Sequence, residues 1–373
     1  MLPNDNQQEL FFQLALNFVK DVGPITGRAL LARFENAENI FKASSKELIS
    51  VDGMGLSRIS AIKDVEVFKK AEKEFEFCEK EKISIVTLKG AHYPKRFLNC
   101  EDAPLLFFYK GNANLNVSKV ISIIGTRKNT DYGDRCCETL LADLNGTKDL
   151  LVISGLALGI DTLAHKYSLK NGLPTVGVLG HSLDTIYPST NIHLAREMLE
   201  KGGALLSEFP SGTKPDKQNF PVRNRIVAGI SDVTVVVESD RKGGAIITAY
   251  IAHSYGREIA AFPGRIFDSK SDGTNHLILK NIAALITNAD ELLDLMNWKE
   301  RDTKKRSLQS KLFEDLLPEE IPLFEFLKQK DTIHIDELLM ASGYSNSQLA
   351  SILLQMEMKG LIKALPGKNY RLN

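Results

Sequence analysis

VISIIG (120–125), LLVISG (150–155) and TVGVLG (175–180) are continuous apolar runs, and each ends in glycine. ALLSEF (204–209), DVTVVVES (232–239), EIAAFPG (258–264) and ALIT (284–287) continue the series. Segments of helical character lie between them, among them TLAHKYSLKNG (162–172) and IHLAREMLEKGG (192–203). Strands apolar on both faces, alternating with helices, predict an α/β fold with a parallel sheet covered on both sides. In such a sheet a ligand sits at the carboxyl ends of the strands. Those ends are where this chain places its Gly, Ser, Thr and Arg residues.

The flanks have a different character. Residues 9–80 read as helices punctuated by Val22-Gly23-Pro24-Ile25-Thr26-Gly27 and Val51-Asp52-Gly53-Met54-Gly55-Leu56. A short glycine turn entering a helix is the helix-hairpin-helix pattern, whose first N–H groups suit a phosphate. The favoured reading is that these are ordinary turns in a small helical bundle. Residues 298–311 are charged and poor in apolar residues, with Lys304-Lys305-Arg306 at their centre, and read as a linker. Beyond them, EEIPLFEFLKQK, HIDELLMA and NSQLASILLQMEMKG predict three helices, and LIKALPGKNYRLN predicts a closing hairpin. That order is a winged helix. The expected division is 1–80 helical, 81–297 α/β core, 298–311 linker and 312–373 winged helix.

The 373 residues exceed one ordinary domain, and 43% apolar with 25% charged residues is a globular composition. No apolar run approaches the ~20 residues that span a bilayer. The opening MLPNDNQQEL has no basic stretch before an apolar core, so no secretory signal is expected. Cys78, Cys100, Cys136 and Cys137 form no CxxC pair, which predicts a reducing, cytoplasmic setting. Lys plus Arg and Asp plus Glu are balanced at 47 each, which argues against a bulk polyelectrolyte binder. A local basic groove remains compatible with that balance.

The strand-end loops carry the chemistry. Gly125-Thr126-Arg127 is not the dinucleotide GxGxxG, but an arginine beside a helix start suits a phosphate. Ser154-Gly155-Leu156-Ala157-Leu158-Gly159-Ile160-Asp161 lets a ligand approach closely, and Asp161 is expected to cap the following helix with a lowered pKa. His165, one turn further, reads as a packed histidine. Gly180-His181-Ser182-Leu183-Asp184 nearly matches the nucleophile elbow GxSxG but lacks its last glycine. Arg223-Asn224-Arg225 suits either phosphate pairing or a structural ion pair. Arg241-Lys242-Gly243-Gly244, followed by Thr248, reads as a phosphate cradle without the Gly-Lys-Ser/Thr of a P-loop. Phe262-Pro263-Gly264 reads as a loop, with a helix N-cap at Ser271-Asp272-Gly273-Thr274-Asn275. The histidines show no metal-ligand spacing. These loops predict a phosphate-rich ligand held without chemistry, with no catalytic residue, metal or cofactor.

IIGTRKNTDYG, VISGLALGIDTLAH, VGVLGHSLDTIYPSTN, LLSEFPSGTKP, FPVRNRIVAGIS and GGAIITAYIAHSYGREIAAFPG, in this order, resemble the DprA family of DNA-processing proteins, also called Smf. YPKRFLNCEDAPLLFFYKG (93–111) is similar to the family's lead-in. The resemblance implies an extended Rossmann-like core with a SAM- or helix-hairpin-helix-like domain before it and a winged helix after it. It implies a homodimer that binds single-stranded DNA, protects incoming DNA and loads the RecA recombinase during natural transformation. Carried over by position, it implies DNA contacts from Gly125, Thr126 and Arg127, and from Ser154, Gly155, Gly159 and Asp161. Asn191, Arg223, Asn224, Arg225, Gly243, Gly244 and Thr248 complete the implied set. After Asn191 the family often has a basic residue, whereas Ile192-His193 follow here. The rival reading is a nucleotide or nucleoside-phosphate hydrolase on a related sheet. Such enzymes carry PGGxGTxxE, and the corresponding stretch here, Gly243-Gly244-Ala245-Ile246-Ile247-Thr248, has no Glu directly after it.

Overall fold

The computed structural model describes residues 5–299, 316–328, 332–365 and 367–372. The expected linker beyond Lys299, with Lys304-Lys305-Arg306, lies outside the described residues. The chain divides into two compact units, Met1–Trp298 and Lys299–Asn373.

Each apolar run forms a strand, and two further strands precede them. In chain order they are β1 (Ser84–Thr87), β2 (Leu106–Gly111), β3 (Lys119–Ile124), β4 (Leu150–Ser154), β5 (Thr175–Leu179), β6 (Ala204–Ser207), β7 (Val233–Val236), β8 (Glu258–Ala261) and β9 (Ala284–Leu285). They build one sheet in the order β1-β2-β6-β5-β4-β3-β7-β8-β9. From β6 to β9 all neighbours are parallel, and β1 and β2 extend the β6 edge antiparallel. Alternation along each strand fills both faces. Val120 and Ile124 of β3, with Leu151 and Ile153 of β4, pack in one core, while Ile121, Ile123, Leu150 and Val152 pack in the opposite one. Every one of these side chains is at most a few per cent exposed.

The helices between strands are α7 (Asp131–Asp143), α8 (Ile160–Lys170), α9 (Ile192–Glu200), α10 (Asn219–Ile230), α11 (Gly244–Ser254), α12 (Ser269–Leu279) and α13 (Ala289–Leu295). α10 and α11 cover the first core, and α7, α8 and α13 cover the second. α12 begins at Ser269 after Asp268, ahead of the expected cap near Ser271, and the Asp268 side chain makes no cap hydrogen bond. α10 carries the chain from β6 back across the sheet to β7, beside β3. Strand order therefore reverses between β3 and β7, which marks the ligand-binding switch point of a doubly wound sheet.

Before the sheet come α1 (Asp5–Asn17), α2 (Pro24–Phe34), α3 (Ala37–Lys42), α4 (Ser45–Leu48), α5 (Leu56–Ile62) and α6 (Glu66–Lys80). α6 buries Val67, Ala71, Glu74 and Cys78, a spacing that keeps one face inward. Leu14, Ala15 and Ala71 of these helices share a core with Leu106 and Phe108 of β2 and with Leu156, Leu179 and Leu205. The two glycine turns are tied together by Arg58, whose Nε donates to the Asp21 carbonyl at 2.7 Å and whose Nη1 donates to the Gly53 carbonyl.

In the second unit, α14 (Ile321–Lys328), α15 (Ile335–Ser342) and α16 (Asn346–Met358) surround Leu338, Leu349, Leu353 and Met356. β10 (Ile333–His334), β11 (Ile362–Leu365) and β12 (Asn369–Leu372) form the sheet β10-β12-β11. Ser345 and Gln348 make a capping box on α16, and Gly343 ends α15 in the left-handed region. This is the predicted winged helix. Among the described residues no helix is long and apolar enough to cross a membrane.

Candidate functional site

A cleft of about 410 Å³ opens over the β3/β7 reversal. Gly125, Thr126 and Arg127 form its β3 wall, and Ser239, Asp240, Gly243 and Gly244 form its β7 wall. Gly155 and Asp161 lie at its floor, and Lys217, Phe220, Arg223 and Asn224 close it from α10 and the loop before that helix. Thr248, one turn into α11, also lines it. The walls are stapled where the Thr126 N–H donates to the Glu238 carbonyl at 2.7 Å. The buried Glu238 carboxylate then accepts from Thr130 N at 2.9 Å and Thr130 Oγ1 at 2.5 Å. The Thr130 hydroxyl in turn accepts from the first N–H groups of α7. The β3 loop is thereby fixed before any ligand arrives.

Arg223 is the buried cation of the site, 4% exposed. Its Nη1 donates to the carbonyls of Gly155 and Val178, and its Nε donates to Asn224 Oδ1 at 3.2 Å. A Cβ on Gly155 would collide with that guanidinium, so the strand end must be glycine. Burial lowers the Arg223 pKa from its ordinary value, with the Asp161 charge opposing. Arg127 is exposed, and its guanidinium lies 4.8 Å from the centroid of the Phe220 ring. The Tyr187 ring stacks on Phe220 at 6.3 Å. The cleft thus offers cations together with aromatic faces. Cations pair with phosphates and aromatic faces stack on bases, the two contacts a single strand of nucleic acid makes.

Four of the sequence-predicted contacts do not line the cleft. Ser154 is fully buried, and its hydroxyl donates to the Ile123 carbonyl at 2.6 Å. Gly159 has φ 77° and packs against the backbone of Thr126 and Arg127, so it shapes the arginine loop from behind. Asn191 is buried and donates to the Leu156 carbonyl at 3.0 Å and to Thr162 Oγ1 at 2.9 Å. It braces Leu156, which sits at φ 56°, a left-handed conformation costing a non-glycine residue roughly 1–2 kcal/mol. Arg225 turns away from the cleft and pairs with the partly buried Glu208 carboxylate, while its Nη1 donates to the Asp102 carbonyl.

Asp161 departs from expectation. Gly159 is the N-cap of α8, and Asp161 is the second residue inside the helix, accepting from the Ala157 N–H at 3.3 Å. Burial raises its pKa, and Arg223, the Ala157 N–H, Ser154 and Arg127 only partly oppose that rise. The expected lowered pKa is corrected, because desolvation outweighs the hydrogen bonds. The near-elbow is not a nucleophile–base pair either. The one Ser182 hydroxyl proton goes to Asp184, and His181 Nδ1 donates to the Ser182 carbonyl at 2.8 Å. Among the described residues, no three His, Cys, Asp or Glu side chains gather where they could hold a metal ion. Lys217, Phe220, Ser239 and Asp240 were not singled out from the sequence. Phe220 had a signal, as it sits three positions before Arg223 and therefore on the same helix face.

His165 is packed, as expected. Thr175 Oγ1 donates to the Val152 carbonyl at 3.0 Å and so accepts from His165 Nδ1 at 2.7 Å, which leaves Nε2 buried without a partner. Burial, helped by the Arg223 charge, lowers the His165 pKa to about 3. The unfolded value is about 6.5. Between those two values the unfolded chain binds a proton that the folded chain refuses, so His165 costs stability as pH falls from about 6.5 toward 3. Denaturant midpoints measured at neutral and acid pH should show this loss, and His165→Leu should flatten it. An unchanged pH slope in the variant would contradict the assignment.

A doubly wound sheet with a cationic, aromatic-lined cleft at its switch point defines a Rossmann-like ligand-binding protein. Residues 84–297 match the family described as DNA recombination-mediator protein A, and residues 313–368 match the DprA winged helix domain. The chain belongs to this DprA/Smf family of DNA recombination mediators. Protein Smf of Escherichia coli (strain K12) is 34% identical over 298 residues, covering 77% of each chain. The X-ray structure of DprA from Streptococcus pneumoniae is 30% identical with a TM-score of 0.65, over 77% of this chain and 96% of that one. A structure of DNA processing protein A from Helicobacter pylori, described for its single-stranded DNA binding mode, is 31% identical with a TM-score of 0.52. It covers 58% of this chain and 95% of that one.

Proposed function

We propose that this protein binds single-stranded DNA in the switch-point cleft, protects it and loads RecA onto it during natural transformation, as a cytoplasmic homodimer and without catalysis. The observation that carries the reading is the pairing of Arg127 with the Phe220 ring in the cleft that the buried Arg223 also lines. The exposed guanidinium takes a phosphate, and the neighbouring rings take bases. Neither contact selects a base sequence, which suits a protein that must accept any incoming strand. Family membership and the single-stranded DNA binding mode described for the Helicobacter pylori relative support the same reading. Arg225, Ser154, Gly159 and Asn191 act in this reading by holding the cleft. The helical 1–80, core 81–297 and winged-helix 312–373 segments are proposed as its working parts.

The test is a titration with single-stranded and double-stranded oligonucleotides of one sequence. The single strand should bind much more tightly, because duplex bases are already stacked on one another and leave no face for Phe220. A chain ending at Trp298 should bind the single strand as the full chain does, since it keeps the whole first unit. Preference for the duplex, or loss of binding on truncation, would refute the reading.

A further inference from the structure

β8 lies beside β7 and runs parallel to it, so the loop after β8 opens on the same edge of the sheet as the cleft. This loop, residues 262–268, is firmly held. Gly264 N donates to Asn275 Oδ1 at 3.1 Å, and Asn275 Nδ2 donates back to the Gly264 carbonyl at 3.0 Å. Tyr132 Oη donates to the Pro263 carbonyl at 2.5 Å. The start of α12 joins the loop to the cleft wall. The Lys270 carbonyl accepts from Ser239 N at 2.7 Å, and Lys270 Nζ pairs with Asp240 at 2.6 Å. Despite this anchoring, Ile266 is 81% exposed and Phe267 is 93% exposed.

A ring left almost bare on a fixed backbone contributes nothing to the core. What distinguishes this one is its place. Strand ends β4, β3 and β7 supply the cleft, and β8 is the next in order. Adjacent strands are about 4.8 Å apart, so the loop is one short step beyond the β7 wall. The segments beside it carry Arg241, Lys242, Arg265 and Lys270 against Asp240, Asp268 and Asp272. Lys270 pairs with Asp240 at 2.6 Å and Arg241 with Asp272 at 3.9 Å, so the surplus cations are Lys242 and Arg265 against Asp268. Cations around a single aromatic face match a polyanion that carries flat bases.

We propose that the 262–268 loop is a second stacking platform, on which a base of single-stranded DNA leaving the cleft past β7 rests against Phe267 while Arg265 takes the adjoining phosphate. This rests on the single-stranded DNA reading of the cleft and extends the bound strand by a step in a defined direction. The cleft alone holds a short oligonucleotide, and only a longer one reaches Phe267.

Affinities of the full chain and of Phe267→Ala should be compared for oligonucleotides of about 4 and about 16 nucleotides. Phe267→Ala should weaken the long one about five- to tenfold and leave the short one unchanged. Phe267→Trp should keep the affinity, and its added indole fluorescence should be quenched by the long oligonucleotide only. Equal affinity of Phe267→Ala and the parent for the long strand would overturn the platform. So would unchanged DNA binding accompanied by a shift in sedimentation, which would assign the loop to contact between copies of the chain. If the parent bound neither oligonucleotide, the reading of the cleft would fall, and the platform with it. If the parent bound both and Phe267→Ala bound them equally well, only the platform would fall.

Discussion

Replacing Arg223 by alanine is expected to destabilise the fold by about 3–5 kcal/mol, the range for removing one partner from a buried charged network. The guanidinium is buried where β4 and β5 end, and its Nη1 serves the Gly155 and Val178 carbonyls. Without it both carbonyls lose a charged donor, at about 1–3 kcal/mol for each buried group left unpaired. The penalty should also depend on pH. Arg223 is the strongest influence opposing the burial-driven rise of the Asp161 pKa, so its loss lets that pKa climb further. A carboxyl with a raised folded pKa costs stability as pH increases through the window between its unfolded and folded values. The variant should therefore lose more, relative to the parent, at neutral pH than near pH 4. Denaturant unfolding at the two pH values measures this. A loss below about 1 kcal/mol at neutral pH would mean that Arg223 is not the keystone of the cleft.

Arg127→Ala is expected to do the opposite, sparing the fold and damaging binding. Its side chain is exposed, and its contact with Phe220 is a cation–π contact worth roughly 0.5–1 kcal/mol. Binding of single-stranded DNA should weaken about tenfold at low salt. The log–log dependence on salt should flatten by about 0.7 for the one phosphate contact removed. Anisotropy titrations at several salt concentrations, beside a melting curve to show an intact fold, measure both. Arg127→Lys should restore most of the salt slope and only part of the affinity, since an ammonium pairs with phosphate but stacks poorly on a ring. A slope identical to the parent's would remove Arg127 from the interface.

Much of this was legible in the sequence because the sheet is buried on both faces. Such strands are apolar at most positions, with only small Ser or Thr side chains such as Ser122 and Thr234 between, so their runs stand out, and their glycine ends point to the cleft. β1 and β2 escaped notice because they lie in the stretch before the alternating pattern begins and pair antiparallel at one edge. Arg223 and Arg225 looked equivalent on the page. On a helix two positions are about 200° apart, so both could not face one cleft. The helix geometry alone does not say which one turns inward, whereas the glycine at 155 makes room for Arg223. In the sequence, Asp161 near a helix start reads as a cap. The chain instead enters α8 through Gly159 and places Asp161 under the Arg223 guanidinium charge.

The pairing of β3 with β7 joins Ile121 to Val233, with the whole β4–β6 half of the sheet between them in the chain. A ribosome therefore delivers β3, β4, β5 and β6 well before the strand that completes the reversal. Until β7 emerges, one side of β3 is a bare row of N–H and C=O groups, and the Glu238 carboxylate that fixes Thr130 does not yet exist. Parallel pairing across so long a separation is slow to form, and nascent chains are most open to aggregation in that interval. The cleft is thus acquired only once β7 and the start of α11 have emerged, after the β3–β6 half of the sheet. Fragments that stop short of α11 would carry Arg127 and Arg223 in their sequence but hold no groove between them.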